Sequence, residues 1–225
     1  MGERVVAITG GHGALGRAVT EAALAQGLKV AIIDHAMGHA TPDGVLEIGG
    51  VDLTDPVATQ GAFDKILDRF GRLDVLLNIA GGFVWQTVDD AEPAWAKMFA
   101  LNLTTALNAS RAALPHLKAS DAGRIVNVGS AAAQKAGSGM GAYAASKSAV
   151  HRLTESLAEE LKTTTVTVNA VLPSVIDTAA NRKDMPDVDP AIWVAPADLA
   201  AVILFLASPE ARAMTGALVP VTGRV

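Results

Sequence analysis

The N-terminal part of the chain contains the sequence Arg4-Val5-Val6-Ala7-Ile8-Thr9-Gly10-Gly11-His12-Gly13-Ala14-Leu15-Gly16. Its first half is a short β-branched run, its second half is a glycine-rich turn, and a segment with periodic Ala, Val and Leu follows to about Gln26. A strand, a glycine turn and a helix in this order present backbone N–H groups and a helix N-terminus to a phosphate. This unit is therefore predicted to bind the phosphates of a dinucleotide.

A second apolar run, Val30 to Ile33, ends in Asp34, eighteen residues after Gly16. A carboxylate at this position meets the adenosine ribose hydroxyls and repels a 2′-phosphate, so NAD(H) is favoured over NADP(H). The alternative is that Asp34 only caps the end of a strand. His12 and His35 lie nearby, and in the protonated state they would weaken the discrimination.

Composition narrows the class of protein. The 225 residues are 50% hydrophobic but only 4% aromatic, so the core must consist of Ala, Val, Leu and Ile, which suits parallel strands buried on both faces. The net charge of −5 comes without charge runs, which argues against nucleic acid or anionic lipid as the partner. With no cysteine, no signal-peptide pattern and no apolar stretch near ~20 residues, the chain is expected to be cytoplasmic.

Strand-like and helix-like segments alternate along the whole chain, without linker or repeat. This pattern predicts an α/β fold: one domain over residues 1–225, a doubly wound parallel sheet (Rossmann fold) with helices on both faces. One long helix is predicted from Pro93 to Leu117, with Asn102 in an apolar neighbourhood. The stretch at about 179–196 lacks clear periodicity and is predicted to be a substrate loop.

A lone tyrosine, Tyr143, stands four residues before Lys147, after a glycine-rich loop and at the head of an Ala-rich helical run. Residues four apart share a helix face, so the phenol and the ammonium point into the same space. An acid or base near neutrality needs the tyrosine pKa lowered by ~3 units, and a neighbouring cation is the natural means. This pair is the candidate catalytic centre.

Other side chains allow more than one interpretation. Phe83 and Trp85 follow the small residues at the end of the fourth predicted strand, where they form a substrate wall, pack internally or contact another subunit. The five histidines show no metal-ligand spacing, so no metal site is expected and each is interpreted as a surface or capping residue.

The chain resembles the short-chain dehydrogenase/reductase family in several motifs that share one order and spacing along essentially its whole length. These are Thr9-Gly10 with Ala14-Leu15-Gly16, Asn78-Ile79-Ala80-Gly81, Asn102, Ser130, Tyr143-Ala144-Ala145-Ser146-Lys147 and Pro173-Ser174. The resemblance implies an NAD(P)-dependent oxidoreductase that acts on a small carbonyl or alcohol. It also implies a homodimer or homotetramer.

The resemblance further implies a role for each matching residue. Tyr143 would be the proton donor and acceptor, Ser130 would hold the substrate oxygen, Lys147 would lower the tyrosine pKa and bind the nicotinamide ribose, and Asn102 would hold a water in a proton relay. Ile176 and Thr178 would engage the nicotinamide carboxamide, and Asp52 with Leu53 the adenine. Together with the glycine turn, the predicted cofactor-binding residues are Gly10, His12, Gly13, Ala14, Leu15, Gly16, Asp34, Asp52, Leu53, Asn78, Ala80, Gly81, Tyr143, Lys147, Pro173, Ile176 and Thr178.

Three positions depart from the family pattern: Ala14, Ile79 and Ser174 replace a Gly, an Asn and a Gly. Within the family, the chain looks most similar to the dihydropteridine reductases, on Ala80-Gly81-Gly82, Gly139 to Tyr143, and residues 170–193. Those enzymes use NADH to reduce quinonoid dihydropterin, which is the runner-up substrate because Ser130 and Asn102 suit an ordinary carbonyl. A third alternative is a dinucleotide-binding protein without catalysis.

Overall fold

The computed structural model describes residues 4–37, 42–90 and 94–225. The strands are β1 (Val5–Thr9), β2 (Lys29–Ile33), β3 (Leu46–Ile48), β4 (Val75–Asn78), β5 (Arg124–Val128), β6 (Thr167–Pro173) and β7 (Leu218–Val221). The helices are α1 (Ala14–Ala25), α2 (Pro56–Phe70), α3 (Ala94–Phe99), α4 (Thr105–Ala119), α5 (Gly141–Leu161), α6 (Ala179–Asp184) and α7 (Pro196–Ala207).

The described strands form one parallel sheet in the order β3-β2-β1-β4-β5-β6-β7. From β1 the chain builds outward to β3, then returns to place β4 on the other side of β1. The order therefore reverses between β1 and β4, and the carboxyl ends of the strands at such a point form a crevice for ligands. The predicted doubly wound parallel sheet is confirmed.

Apolar side chains from both faces of the sheet are buried under helices. Phe63 of α2, Leu117 of α4 and Leu157 of α5 cover one face, while Val19 of α1 and Leu199 of α7 cover the other. Because both faces are covered, the strands are almost continuously apolar rather than alternating. None of the helices in the described ranges is long and apolar enough to cross a membrane.

Local sequence signals explain how α2 begins. Asp55 is its N-cap, with the side chain accepting a hydrogen bond from the N–H of Val57 at 2.8 Å, and Pro56 occupies the first turn. An Asp N-cap followed directly by Pro is a common sequence signature of a helix start.

The prediction of one uninterrupted helix from Pro93 to Leu117 is wrong. Pro93 lies outside the described residues, and the helix that follows is divided by a π-helical turn, Ala100–Thr104, between α3 and α4. A π turn inserts one extra residue, which changes the direction of the side chains that follow it. Apolar periodicity continues through the insertion and therefore does not reveal it.

The segment at 179–196 contains more regular structure than its lack of periodicity indicated. It includes α6 and a 3₁₀ turn, Pro190–Ile192, and Val194 pairs with Ile176 in an isolated parallel bridge. Trp193 is buried at its end.

Two helical glycines provide a matched test of packing at the first turn of α1. A Cβ on Gly16 would lie 2.2 Å from the Gly10 carbonyl oxygen, whereas a Cβ on Gly61 in α2 meets nothing within 4 Å. We expect Gly16→Ala to lower the free energy of unfolding by ~1–3 kcal/mol through overpacking, and Gly61→Ala to raise it by ~0.5–1 kcal/mol through helix propensity. Urea denaturation measures both, and a Gly16→Ala variant as stable as the parent would contradict the packing.

Candidate active site

The carboxyl ends of five strands bring most of the predicted site residues to one edge of the sheet. Gly10 follows β1, Asp34 follows β2, Ala80 follows β4, Ser130 follows β5, and Pro173 ends β6. Parallel pairing puts these positions side by side, although they are spread over more than 160 residues of sequence.

The glycine turn is fixed against the end of β4. Gly10 has a φ of 69°, and a Cβ there would lie 2.8 Å from the Cα of Ala80. The hydroxyl oxygen of Thr9 accepts hydrogen bonds from the N–H groups of Ile79 and Ala80, both at 3.1 Å. These contacts hold two loops of the switch point in one rigid arrangement.

The N-terminus of α1 opens toward the same edge. Its N-cap is Gly13, which has no side chain to cap the first turn, and both Gly13 and Ala14 are exposed. Uncapped N–H groups at a helix N-terminus form a binding site for phosphate. Leu15 and Gly16 are buried and support the turn through packing.

Asp34 and His12 connect the glycine turn to neighbouring strands. One carboxylate oxygen of Asp34 accepts from the N–H of His12 and the other from the N–H of Ala36, both at 3.0 Å. The His12 ring, interpreted from sequence as a surface or capping group, is instead 7% exposed, and its Nε2 lies 2.9 Å from Glu47 Oε1 of β3. Asp34 is therefore more than a strand cap, because its carboxylate also orders the turn.

The residues predicted to meet the adenine and the carboxamide have other roles as well. Asp52 is exposed, and its Oδ1 accepts from both the N–H and the hydroxyl of Thr54, which lowers its pKa. Leu53 is buried. Thr178 caps α6 by accepting from the N–H of Asn181 at 3.2 Å, and Ile176 lies in the bridge to Val194.

Ser130, Tyr143 and Lys147 come together between the end of β5 and the first two turns of α5. The hydroxyl of Ser130 lies close enough to the Tyr143 phenol to lower its pKa by hydrogen bonding. Lys147 is 6% exposed, and its ammonium donates to the Val128 carbonyl at 2.8 Å. The two α5 side chains thus lie on one helix face, as their spacing predicts.

The pKa of Tyr143 differs from the sequence-based expectation. Burial of the phenol raises this pKa above its ordinary value of 10.0, and the hydrogen bond from Ser130 lowers it only in part. The predicted lowering by Lys147 is wrong: Lys147 is not among the groups that shift the pKa of Tyr143, and spacing carries no information about burial. The phenol is consequently protonated at neutral pH.

Asn102 is buried in the π-helical turn, and its side-chain amide forms hydrogen bonds with Gly82 and Ser146. Its Oδ1 accepts from the Gly82 N–H at 3.0 Å, and its Nδ2 donates to the Gly82 carbonyl at 3.1 Å and to the Ser146 hydroxyl at 3.0 Å. A Cβ on Gly81 would lie 2.5 Å from Asn102 Oδ1 and 3.4 Å from Lys147 Nζ. The amide therefore holds the β4 loop close to the lysine.

Asn78 belongs to a buried network rather than to the open edge. Its Nδ2 donates to Asn127 Oδ1 at 2.8 Å and to the Ser110 hydroxyl at 3.2 Å, and Asn127 in turn donates to Thr154 at 2.9 Å. This side chain fastens β4 to β5 and to the helices on one face.

Three aromatic residues form what we call the aromatic wall: Phe83, Trp85 and Trp95, each about half exposed. The Phe83 ring meets the Tyr143 ring edge to face, with centroids 5.0 Å apart. The Trp85 indole covers Gly139, where a Cβ would lie 2.1 Å from its Cε2, and Trp95 lies against Gly141. The wall thus continues from the phenol along one side of the site.

The sequence analysis missed His151. It was interpreted as a surface or capping residue, but it is 4% exposed, and its Nε2 accepts a hydrogen bond from the Ser130 N–H at 3.3 Å. Its position four residues after Lys147, on the same helix face, was the available signal. Within the part of the chain that the structure describes, no three His, Asp or Glu side chains group to hold a metal ion.

Burial of the Lys147 ammonium lowers its pKa from 10.5 to about 8, which corresponds to a cost of roughly 3 kcal/mol at neutral pH. The unfolded chain binds this proton more tightly, so the stability of the parent rises with pH between 8 and 10.5. We expect Lys147→Met to be at least as stable as the parent at neutral pH, with this advantage shrinking in alkali. Urea denaturation of parent and variant at neutral pH and near pH 10.5 tests this. A variant that is less stable than the parent by the same amount at both pH values would contradict it.

Comparison with known proteins agrees with this geometry. The family model described as short chain dehydrogenase matches residues 4–189. The 2-(S)-hydroxypropyl-CoM dehydrogenase 3 of Xanthobacter autotrophicus is 33% identical and aligns over 97% of this chain and 95% of its own. The 3-oxoacyl-(acyl-carrier-protein) reductase FabG of Vibrio cholerae is 31% identical over 98% of this chain and 96% of its own. Nothing in the comparisons points to dihydropteridine reductase.

Solved structures show the same relationship. The aldohexose dehydrogenase of Thermoplasma acidophilum superposes with a TM-score of 0.89 at 29% identity, over 98% of this chain and 93% of its own. Carveol dehydrogenase from Mycobacterium avium, in complex with NAD, superposes with a TM-score of 0.86 at 26% identity, over 98% of this chain and 96% of its own. ElxO with NADP bound gives 0.90 at 25% identity over 98% of both chains. The chain belongs to the short-chain dehydrogenase family of nicotinamide-dependent oxidoreductases.

Proposed function

We propose that this protein transfers a hydride between NAD(H) and the carbonyl carbon of a small substrate, with Tyr143 as the proton donor. The observation that carries the proposal is the partly buried phenol of Tyr143, which the Ser130 hydroxyl approaches closely enough to lower its pKa, with the buried Lys147 ammonium one turn further along the same helix face. This centre stands at the same sheet edge as the glycine turn, so one extended ligand can reach both.

The residues at this edge fit a dinucleotide. The lack of a side chain at Gly10 lets the glycine turn pack closely against the backbone of Ala80, and the uncapped start of α1 offers N–H groups to the phosphates. Each carboxylate oxygen of Asp34 accepts one backbone N–H and retains capacity for the ribose hydroxyls. When bound, the nicotinamide would supply or accept the hydride.

Tyr143 and Ser130 would act together on the substrate oxygen. As negative charge builds on that oxygen, the phenol gives it a proton and the Ser130 hydroxyl donates a hydrogen bond. The Lys147 ammonium, protonated at pH 7 because its pKa is about 8, would stabilise the phenolate left behind. Solvent then returns a proton to the phenolate.

The raised pKa of Tyr143 keeps its phenol protonated near neutral pH, which is the form that donates a proton in carbonyl reduction. A protonated phenol is ready to donate, whereas oxidation first requires its deprotonation.

The aromatic wall supports a substrate with an apolar group next to the carbonyl. The half-exposed Phe83 ring, which contacts Tyr143, and the two half-exposed tryptophans bury an apolar ring favourably, and they offer no charge to pair with an acidic group. A quinonoid dihydropterin also presents a flat ring and is the runner-up, although the relatives do not favour it. A dinucleotide-binding protein without catalysis is the third alternative, and the dimer or tetramer stays a prediction.

Tyr143→Phe tests the central claim. Turnover of NADH with the best substrate of a panel should fall at least ~100-fold, because proton donation is lost, whereas NADH binding measured by fluorescence titration should stay near normal. The panel comprises aryl ketones, diketones, 3-oxoacyl thioesters and quinonoid dihydropterin. Unchanged turnover would reject Tyr143 as the donor, and NADH binding without parent turnover on any substrate would favour the non-catalytic alternative.

Cofactor preference is tested at Asp34. The parent should use NADH at least about tenfold better than NADPH in kcat/KM, equivalent to about 1.4 kcal/mol of repulsion between Asp34 and the 2′-phosphate. Asp34→Asn should narrow this ratio, whereas Asp64→Asn, the same charge change on the exposed surface of α2, should leave it unchanged. Equal use of both cofactors by the parent would contradict the preference.

A further inference from the structure

His151 holds the backbone from which Ser130 projects. At this end of β5, the last backbone hydrogen bond to β6 runs from the Gly129 N–H to the Val171 carbonyl, at 2.9 Å. The next N–H, that of Ser130, donates instead to His151 Nε2 at 3.3 Å. The imidazole therefore supplies the acceptor at the point where the chain leaves the sheet for the site.

The imidazole lies in a close-fitting slot. A Cβ on Gly129 would lie 2.4 Å from His151 Nε2 and 3.4 Å from the Leu172 side chain. Only a glycine at residue 129 lets the ring approach the Ser130 amide this closely. The hydroxyl oxygen of Ser130 accepts a hydrogen bond from the Ala132 N–H at 3.2 Å, and the hydroxyl also interacts with the Tyr143 phenol.

We propose that His151 is a positioning residue for Ser130: its unprotonated Nε2 fixes the Ser130 amide, and protonation of the ring releases it. This inference rests on the proposed function, in which the Ser130 hydroxyl holds the substrate oxygen. A ring nitrogen that accepts the Ser130 N–H cannot also carry a proton, so the neutral imidazole is the competent form.

The surroundings favour that neutral form. Burial lowers the pKa of His151 below 6.5, and the charges of Arg152 and Lys147 lower it further. Among the described residues, these are the charged groups that act on the ring. The ring also lines a surface cavity of about 410 Å³ shared with Gln134, Ser148 and Arg152, which gives protons from solvent a route to it.

The test compares His151→Leu with His151→Gln. Gln places an amide oxygen near the position of Nε2, whereas Leu fills similar space without an acceptor. At pH 7.5, kcat should fall at least about fivefold in His151→Leu, as for loss of one hydrogen bond, with NADH affinity unchanged, and His151→Gln should keep most of kcat. His116→Leu and His116→Gln, changes of the same kind at the opposite, amino edge of the sheet, should match the parent.

The pH profile separates positioning from simple packing. In the parent, kcat should decrease on the acid side as His151 takes up its proton, below about pH 6.5. His151→Gln should lose this acid limb, because its amide does not titrate. Equal losses in both variants, parent-like turnover in His151→Leu, or an unchanged acid limb in His151→Gln would overturn the proposal.

A measurement on the parent alone needs neither turnover nor a stable variant. Nitrogen-15 NMR of uniformly labelled protein should show one imidazole whose Nε2 is unprotonated at neutral pH and whose titration parallels a shift of the Ser130 amide signal. A proton on that Nε2 would overturn the inference. Absence of parent turnover on every substrate would instead count against the proposed function.

Discussion

Close approach of side chains to backbone is the constraint on which this site depends. At the carboxyl edge of the sheet, positions without a Cβ allow polar groups to reach the chain: Gly81 admits Asn102 and Lys147, and Gly129 admits His151. A methyl group at either position would occupy space now held by a nitrogen or oxygen atom. The glycines are therefore as much a part of the site as the groups that carry its proposed chemistry.

Burial determines the electrostatics that follow from this packing. The Lys147 ammonium and the Tyr143 phenol are both largely removed from water, so the pKa of the lysine decreases and the pKa of the tyrosine increases. Both shifts favour the neutral form of the group. At pH 7 the phenol is neutral and protonated, whereas the lysine, with a pKa of about 8, is still charged. The pair thus combines a proton donor with the cation that would stabilise its conjugate base.

Much of the fold could be predicted from the sequence because the deciding signals are local. The Asp55-Pro56 helix start, the apolar strands and the four-residue spacing of Tyr143 and Lys147 each depend on neighbours in the chain. Ser130 was identified only through the family resemblance, and its place beside Tyr143 results from the pairing of distant strands.

What could not be predicted depends on contacts distant in sequence or on burial. The π-helical turn at Ala100–Thr104 leaves the apolar period almost intact, and the contact between His12 and Glu47 joins residues 35 positions apart. The pKa of Tyr143 rises because of its surroundings, which no spacing reveals. The buried role of His151 required the same information.

The chain contains a single tyrosine, and that residue lies partly buried between Ser130 and the Phe83 ring. The protein therefore carries an intrinsic chromophore at its proposed reaction centre, with no second phenol to obscure the ultraviolet difference spectrum. Ligands that displace water or move charge near this ring will perturb its absorption together with that of Trp85 and Trp95 in the aromatic wall, so occupancy of the site is readable optically without an added label.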